Sequence, residues 1–313
     1  MASAHSRLVA TAICSTGLST AFHSSFTSLL STHSISVTST RILSPPAVAT
    51  DYYLTLDPVK TNILAFNNEL LSLCRSHAGT DVVCQTDNVY RRSKRLFIFD
   101  MDSTLIRQEV IDEIARYAGV MDHVAKITEA AMNGEIDFKE SLKRRVALLA
   151  GCETSVLDRV RADLIFTDGA HDMCRVLKKL GCKLAVISGG FMPVAIRVKN
   201  ELALDYMYAN QLATSPDGKT LTGITIGPIV DGLRKAELLD VIAQSEHVTK
   251  EQIVAVGDGA NDLWMLAEAG LGVAFNAKAK VQEKAQARIN QKSLRNILYL
   301  LGLSDEDIAL LLI

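Results

Sequence analysis

Three short apolar runs, each stopping abruptly at an acid, a hydroxyl or a glycine, constrain the fold more than any other feature of this sequence. Leu96-Phe97-Ile98-Phe99 runs into Asp100, Lys183 to Ile187 into Ser188, and Ile253 to Val256 into Gly257. A fourth run, Leu271 to Ala274, follows. An uninterrupted apolar strand is one buried on both faces, as in a parallel sheet. Helical stretches separate the runs: Asp172 to Leu180, Phe191 to Leu202, Lys235 to Gln244 and Asp262 to Glu268. This alternation predicts an α/β fold, a parallel sheet covered by helices on both faces. Between Ala209 and Ile226 the Pro216-Asp217-Gly218 turn predicts a hairpin. From Glu109 to about Asp163 there is helical spacing and no strand signal, with Val110, Ile111, Ile114 and Ala115 on one face and later Leu142, Val146, Leu148 and Leu149. That block reads as a helical cap inserted into a three-layer, Rossmann-like core.

The N-terminal region carries its own pattern. Leu8 to Cys14, Leu18 to Leu30, Ser34 to Thr38, Val48 to Leu56, Thr61 to Cys74 and Asp81 to Cys84 read as strand, helix, strand, strand, helix, strand. That order predicts an α+β ferredoxin-like domain. A competing expectation is an organellar transit peptide, because the first fifty residues are rich in Ser and Thr and hold no acid before Asp51. The folded reading is preferred, with any targeting segment confined to the extreme N-terminus. Arg91, Arg92, Lys94 and Arg95 are expected to form a solvated linker. The expected division is therefore residues 1–92, a core of 93–106 and 165–313, and a cap of 107–164.

Composition narrows the class. The 313 residues are 48% hydrophobic, enough for about two domains. With 33 basic against 35 acidic side chains, the net charge of −2 supplies no field for nucleic acid or an anionic membrane. No apolar run approaches the roughly 18 to 20 residues that span a bilayer. Cys14, Cys74, Cys84, Cys152, Cys174 and Cys182 stand singly, which predicts reduced thiols in a cytoplasmic protein.

The chemistry is concentrated where the strands end, which is where open α/β sheets bind ligands. In Asp100-Met101-Asp102-Ser103-Thr104, two acids two residues apart in extended chain point to one side. One could act as a nucleophile and the other as a general acid and base. Ser188-Gly189-Gly190 offers a hydroxyl and backbone N–H groups before a helix, a cradle for an oxyanion or phosphate. A cation follows at Arg234 or Lys235, and spacing alone does not choose between them. Gly257-Asp258-Gly259-Ala260-Asn261-Asp262 combines close backbone approach with hard oxygen ligands suited to Mg2+.

These four elements, in this order over about residues 96 to 275, resemble the motifs of the haloacid dehalogenase-like phosphatases. Glu109, the cap segment Ile127-Thr128-Glu129-Ala130-Ala131-Met132, Phe138-Lys139-Glu140-Ser141-Leu142 and Arg145 are similar to the phosphoserine phosphatase family, particularly its fungal-type members with an N-terminal extension. The resemblance implies that Asp100 attacks phosphorus to form an aspartyl phosphate while Asp102 donates and later recovers a proton. It implies Mg2+ held by Asp100, the Asp102 backbone carbonyl and Asp258. Phosphate falls to Ser188, Gly189 and Lys235, the last chosen because the family's run reads Lys, a small residue, then helix. Asn261 contacts phosphate or water, and Asp262 orients Lys235. Glu109 takes the substrate ammonium, Arg145 its carboxylate, and Met132 and Phe138 shield the site. O-phosphoserine is the implied substrate and serine synthesis the implied setting. The N-terminal domain corresponds by resemblance to an ACT-type regulatory domain, and a homodimer is one expected assembly. The alternatives are a related phosphomonoesterase, for phosphothreonine or phosphoethanolamine, and a catalytically dead serine-binding protein.

Overall fold

The computed structural model describes residues 6–57 and 61–313. The N-terminal elements are β1 (Ser6–Cys14), α1 (Thr20–Thr32), β2 (Ile35–Ser44), β3 (Ala49–Leu56), α2 (Ile63–Ser76) and β4 (Thr80–Thr86). They build a four-stranded antiparallel sheet in the order β2-β3-β1-β4. The chain that resembled a transit peptide thus contributes a central strand. Side chains alternate across a strand, and both faces of this sheet are used. Ala10, Ala12, Tyr52, Leu54 and Val82 pack with Phe22, Phe26, Leu30, Phe66 and Leu70 of the two helices. Ile13, Leu43, Ala49 and Val83 instead join the apolar cluster of the C-terminal part of the chain, together with Leu298 and Tyr299.

The second sheet has seven strands. Its elements are β5 (Leu96–Phe99), then α3 (Val110–Ala118), α4 (Met121–Met132), α5 (Phe138–Ala147) and α6 (Ser155–Ala162), then α7 (Ala170–Lys179), β6 (Lys183–Phe191), α8 (Met192–Glu201), β7 (Tyr206–Thr214) and β8 (Leu221–Ile226). It continues through α9 (Gly232–Ser245), β9 (Ile253–Gly257), α10 (Leu263–Glu268), β10 (Leu271–Phe275), α11 (Ala279–Lys284), β11 (Ala287–Ile289), α12 (Ile297–Leu300) and α13 (Asp305–Leu312). The order is β11-β10-β9-β5-β6-β7-β8, parallel except for the edge strand β8. Leu96 and Ile98 face one layer, with Leu239, Ile242 and Met265; Phe97 and Phe99 face the other, with Val176, Leu177 and Val198. That two-sided burial is why the strand carries no polar residue until Asp100. α3 to α6 form the inserted helical block over the carboxyl ends of the central strands.

Two features differ from the sequence reading. β7 is a parallel strand beside β6 as well as half of a hairpin, so the hairpin extends the sheet. The basic run is only half solvated: Arg92 and Arg95 are exposed, whereas Arg91 is 4% and Lys94 8% exposed. Arg91 donates to both carboxylate oxygens of Asp51 at 2.7 Å and to the Leu300 carbonyl at 3.2 Å. Lys94 donates to the Glu251 carbonyl at 2.6 Å, and burial lowers its pKa to about 8. All six cysteines are free thiols. Among the described residues no helix is long and apolar enough to cross a membrane.

Candidate active site

Strand β5 delivers Asp100 to the carboxyl edge of the sheet, 5% exposed. Its Oδ1 accepts the Met101 N–H at 2.7 Å and lies 2.7 Å from the Lys235 ammonium. One carboxylate oxygen is therefore pinned by two donors. Lys235 is fully buried near the start of α9 and also reaches Asp262 Oδ1 at 2.7 Å. Asp262 Oδ2 in turn accepts the Gly259 N–H at 3.0 Å. A Cβ on Gly257 would lie 2.4 Å from the Asp262 carboxyl carbon, so only glycine lets the fourth motif fold back onto this acid. The neighbouring Arg234 pairs instead with Glu237 at 2.8 Å, so of the two cations left open by spacing Lys235 is the one beside Asp100.

Asp102 follows in extended geometry, and Ser103 then turns through a left-handed φ of 56°. This conformation is uncommon for a residue with a Cβ. The Ser103 hydroxyl donates to Glu109 at 2.7 Å, tying the turn to the acid that leads into the cap. Asp102 Oδ1 is buried with no hydrogen-bond partner among the described residues. A Cβ on Gly190 would stand 2.8 Å from Asp102 Oδ2, so the second glycine of Ser188-Gly189-Gly190 is what admits this carboxylate. Ser188 is fully buried, and its Oγ accepts the Gly190 N–H at 2.8 Å. Asp258 accepts from the buried Thr104 hydroxyl at 3.1 Å.

The electrostatics are lopsided. Carboxylate oxygens of Asp100, Asp258 and Asp262 lie within 4.8 Å of one another, and one ammonium, that of Lys235, pairs with two of these acids. Burial first, then Asp262, holds Asp100 well above the ordinary carboxylate range, with Lys235 pulling the other way. Burial, Glu109 and Asp100 do the same to Asp102. Burial, with Asp262 and Glu109, pushes Asp258 up to about 7. Burial alone would lower the Lys235 pKa, but Asp100 and Asp262 outweigh it and raise it. Such a surplus of buried negative charge suits a hard divalent cation, whose charge would offset the repulsion.

The cap closes over this edge. A Cβ on Gly189 would meet the Phe138 ring at 2.8 Å, so the cap phenyl lies directly on the second motif. Lys139 pairs with Asp231, the residue capping α9, at 3.0 Å. Arg145 is half-buried, and burial lowers its pKa against the attraction of Asp112, Glu109 and Asp102. Its described hydrogen bond runs from Nε to the Ser141 carbonyl at 3.4 Å, while the flanking Arg144 pairs with Glu140. Glu109 is exposed, and Asn261 is half-buried at the fourth-motif turn. Met132 ends α4, but its side chain lies outside the described residues. Sequence reasoning passed over Thr104 and Asn210, whose contacts depend on the fold.

Comparison with known proteins gives the same class. The model of the haloacid dehalogenase-like hydrolases matches residues 94–270, and the chain belongs to that family of hydrolases. It is 48% identical over 277 residues to the phosphoserine phosphatase of Saccharomyces cerevisiae, covering 88% of each chain. Within the class it belongs to the phosphoserine phosphatases. Among solved structures, a phospho-aspartyl intermediate analogue of phosphoserine phosphatase is 44% identical with a TM-score of 0.62, covering 66% of this chain and 98% of that one. A HAD family hydrolase from Salmonella enterica serovar Typhi is 30% identical with a TM-score of 0.80, covering 94% and 98%.

Proposed function

We propose that this chain hydrolyses O-phospho-L-serine to L-serine and phosphate through an aspartyl phosphate on Asp100. The observation that carries the reading is the pinned Oδ1 of Asp100: two donors hold it at 2.7 Å, which leaves the other carboxylate oxygen to act as the nucleophile. Its bond to phosphorus forms as the bond to the serine oxygen breaks. Asp102, whose pKa is raised by burial, Glu109 and Asp100, gives its proton to the departing oxygen. It then takes a proton from the water that attacks phosphorus and releases Asp100. The Ser188 hydroxyl, the Gly189 N–H and Lys235 stabilise the charge on the phosphoryl oxygens, where positioning and electrostatics carry most of such catalysis. Asp262 orients Lys235, and Asn261 contacts phosphate or water. Asp100, the Asp102 carbonyl and Asp258 would hold Mg2+, which supplies positive charge to keep the nucleophile ionised and to gather phosphate oxygens.

Selectivity rests on the cap. Glu109 receives the ammonium and Arg145 the carboxylate, while Phe138, against Gly189, excludes water. The guanidinium of Arg145 feels the charges of Asp112, Glu109 and Asp102 but forms no ion pair among the described residues, which fits bidentate binding of a carboxylate. Arg145→Ala is therefore expected to raise KM for phosphoserine by about 10- to 100-fold, the worth of a hydrogen bond to a charged group. KM for p-nitrophenyl phosphate, which has no carboxylate, should stay within about twofold. Steady-state kinetics on both substrates checks this, and equal losses would assign Arg145 to cap packing instead.

We also read the N-terminal sheet as ferredoxin-like and related to ACT domains, supported by its strand order and two covering helices. The free thiols accord with a reducing compartment such as the cytoplasm.

A further inference from the structure

Strand β6 does not run straight past the second motif. Ile187 pairs with Tyr208 and Phe191 with Asn210, so four steps along β6 match two along β7. Ser188-Gly189-Gly190, three residues against the single Ala209, bulge from the ladder between these two pairs. Asn210, on β7 and 1% exposed, fills the gap. Its Nδ2 donates to the Gly189 carbonyl at 2.8 Å, and its Oδ1 accepts the Val230 N–H at 2.9 Å. Val230 directly precedes Asp231, the cap of the helix that carries Lys235. One side-chain amide therefore ties the extruded turn to the lysine helix. The contacts also fix which way the amide points, because a reversed amide would set oxygen against oxygen and nitrogen against nitrogen.

We propose that Asn210 is a positioning residue for phosphoryl transfer, acting through the peptide unit between Gly189 and Gly190. That peptide's carbonyl is held by Asn210, and its N–H is the one that donates to Ser188 Oγ at 2.8 Å. A hydroxyl that accepts along one lone pair still has its own proton to give. Fixing this peptide plane leaves the Ser188 O–H free to donate into the site, and a hydrogen bond to the carbonyl polarises the N–H beyond it. Held at its other end, the Val230 N–H keeps Lys235 in register with the same cradle. The hydrogen bonds of Asn210 among the described residues run to Gly189 and Val230, not to Asp100, Glu109 or Arg145, so its loss should lower kcat more than it raises KM.

The proposal rests on the phosphatase reading but not on the identity of the substrate. Asn210→Asp keeps the size and loses the donor, placing an oxygen against the Gly189 carbonyl; Asn210→Ala removes both contacts. Both are measured on phosphoserine and on p-nitrophenyl phosphate, alongside thermal melts and orthovanadate binding by calorimetry. The expected result for Asn210→Asp is a kcat lower by about 10²-fold on each substrate, the scale set by loss of one transition-state donor. KM should move less than about threefold, and vanadate affinity should weaken with the protein still folded. Vanadate binding is read without turnover, so it tests Asn210 whether or not phosphoserine is the substrate. A folded Asn210→Asp with unchanged vanadate affinity and kcat within about twofold of the parent would overturn the proposal. So would a loss fully explained by a smaller folded fraction. If the parent turns over p-nitrophenyl phosphate and ignores phosphoserine, the substrate assignment fails while the Asn210 comparison is still decided by the other two measurements.

Discussion

Asp100→Asn is expected to leave a folded protein whose turnover falls by on the order of 10⁴-fold or more, the scale seen when an enzyme loses its nucleophile. The amide has the shape of the carboxylate, and its oxygen can still accept from the Met101 N–H and from Lys235. It cannot attack phosphorus. Stability should survive for a separate reason. Burial and the adjacent Asp262 already disfavour a charged group at this position, as the raised pKa of Asp100 records. A neutral isostere relieves that repulsion, and Lys235 keeps Asp262 at 2.7 Å. Phosphate release and a circular-dichroism melt on the same sample check both halves. Activity within tenfold of the parent would remove Asp100 from the mechanism; a molten variant would move the argument to folding.

The second large effect is expected far from the chemistry. Arg91→Met strands the Asp51 carboxylate, fully buried between the two sheets, with the Thr11 hydroxyl at 2.7 Å as its remaining described donor. Breaking a buried pair from one side costs about 3–5 kcal/mol, because the other charge stays desolvated. For a chain of this size that is a fall in Tm of roughly 5–8 °C. Replacing both partners, Arg91→Met with Asp51→Leu, should recover much of the loss, since well-packed apolar groups often match a buried ion pair. Calorimetric melts of the parent, the single and the double variant decide it. A single variant that melts within 1 °C or so of the parent would mean that water reaches Asp51.

What the sequence made legible was local. Asp100, Ser188 and Gly257 announce themselves because an apolar strand ends at each, and strand ends are where this architecture places its chemistry. The six N-terminal elements could be read in order because their periodicity is carried within each element. What stayed hidden depends on partners distant in the chain. Arg91 sits in a basic run that reads as a solvated bridge; only folding brings Asp51, forty positions earlier, against it. Asn210 lies in an ordinary strand, and its role arises from a bulge on the neighbouring one. β7 was read only as a hairpin arm because its pairing with β6 leaves no mark in its own alternation. The chain after Ala274, with β11 and the last three helices, carries runs too short for periodicity to resolve. Lys235 stood on the borderline: its type fitted, but only resemblance, and then the fold, separated it from Arg234.

The central claim is tested most directly by phosphate release from phosphoserine, phosphothreonine, phosphoethanolamine and p-nitrophenyl phosphate, each with and without Mg2+. The account predicts metal-dependent release with a marked preference for phosphoserine, because that substrate alone among the four combines phosphate, ammonium and carboxylate on the unbranched serine frame. Release from the others with phosphoserine ignored, or equal release after removal of Mg2+, would contradict it.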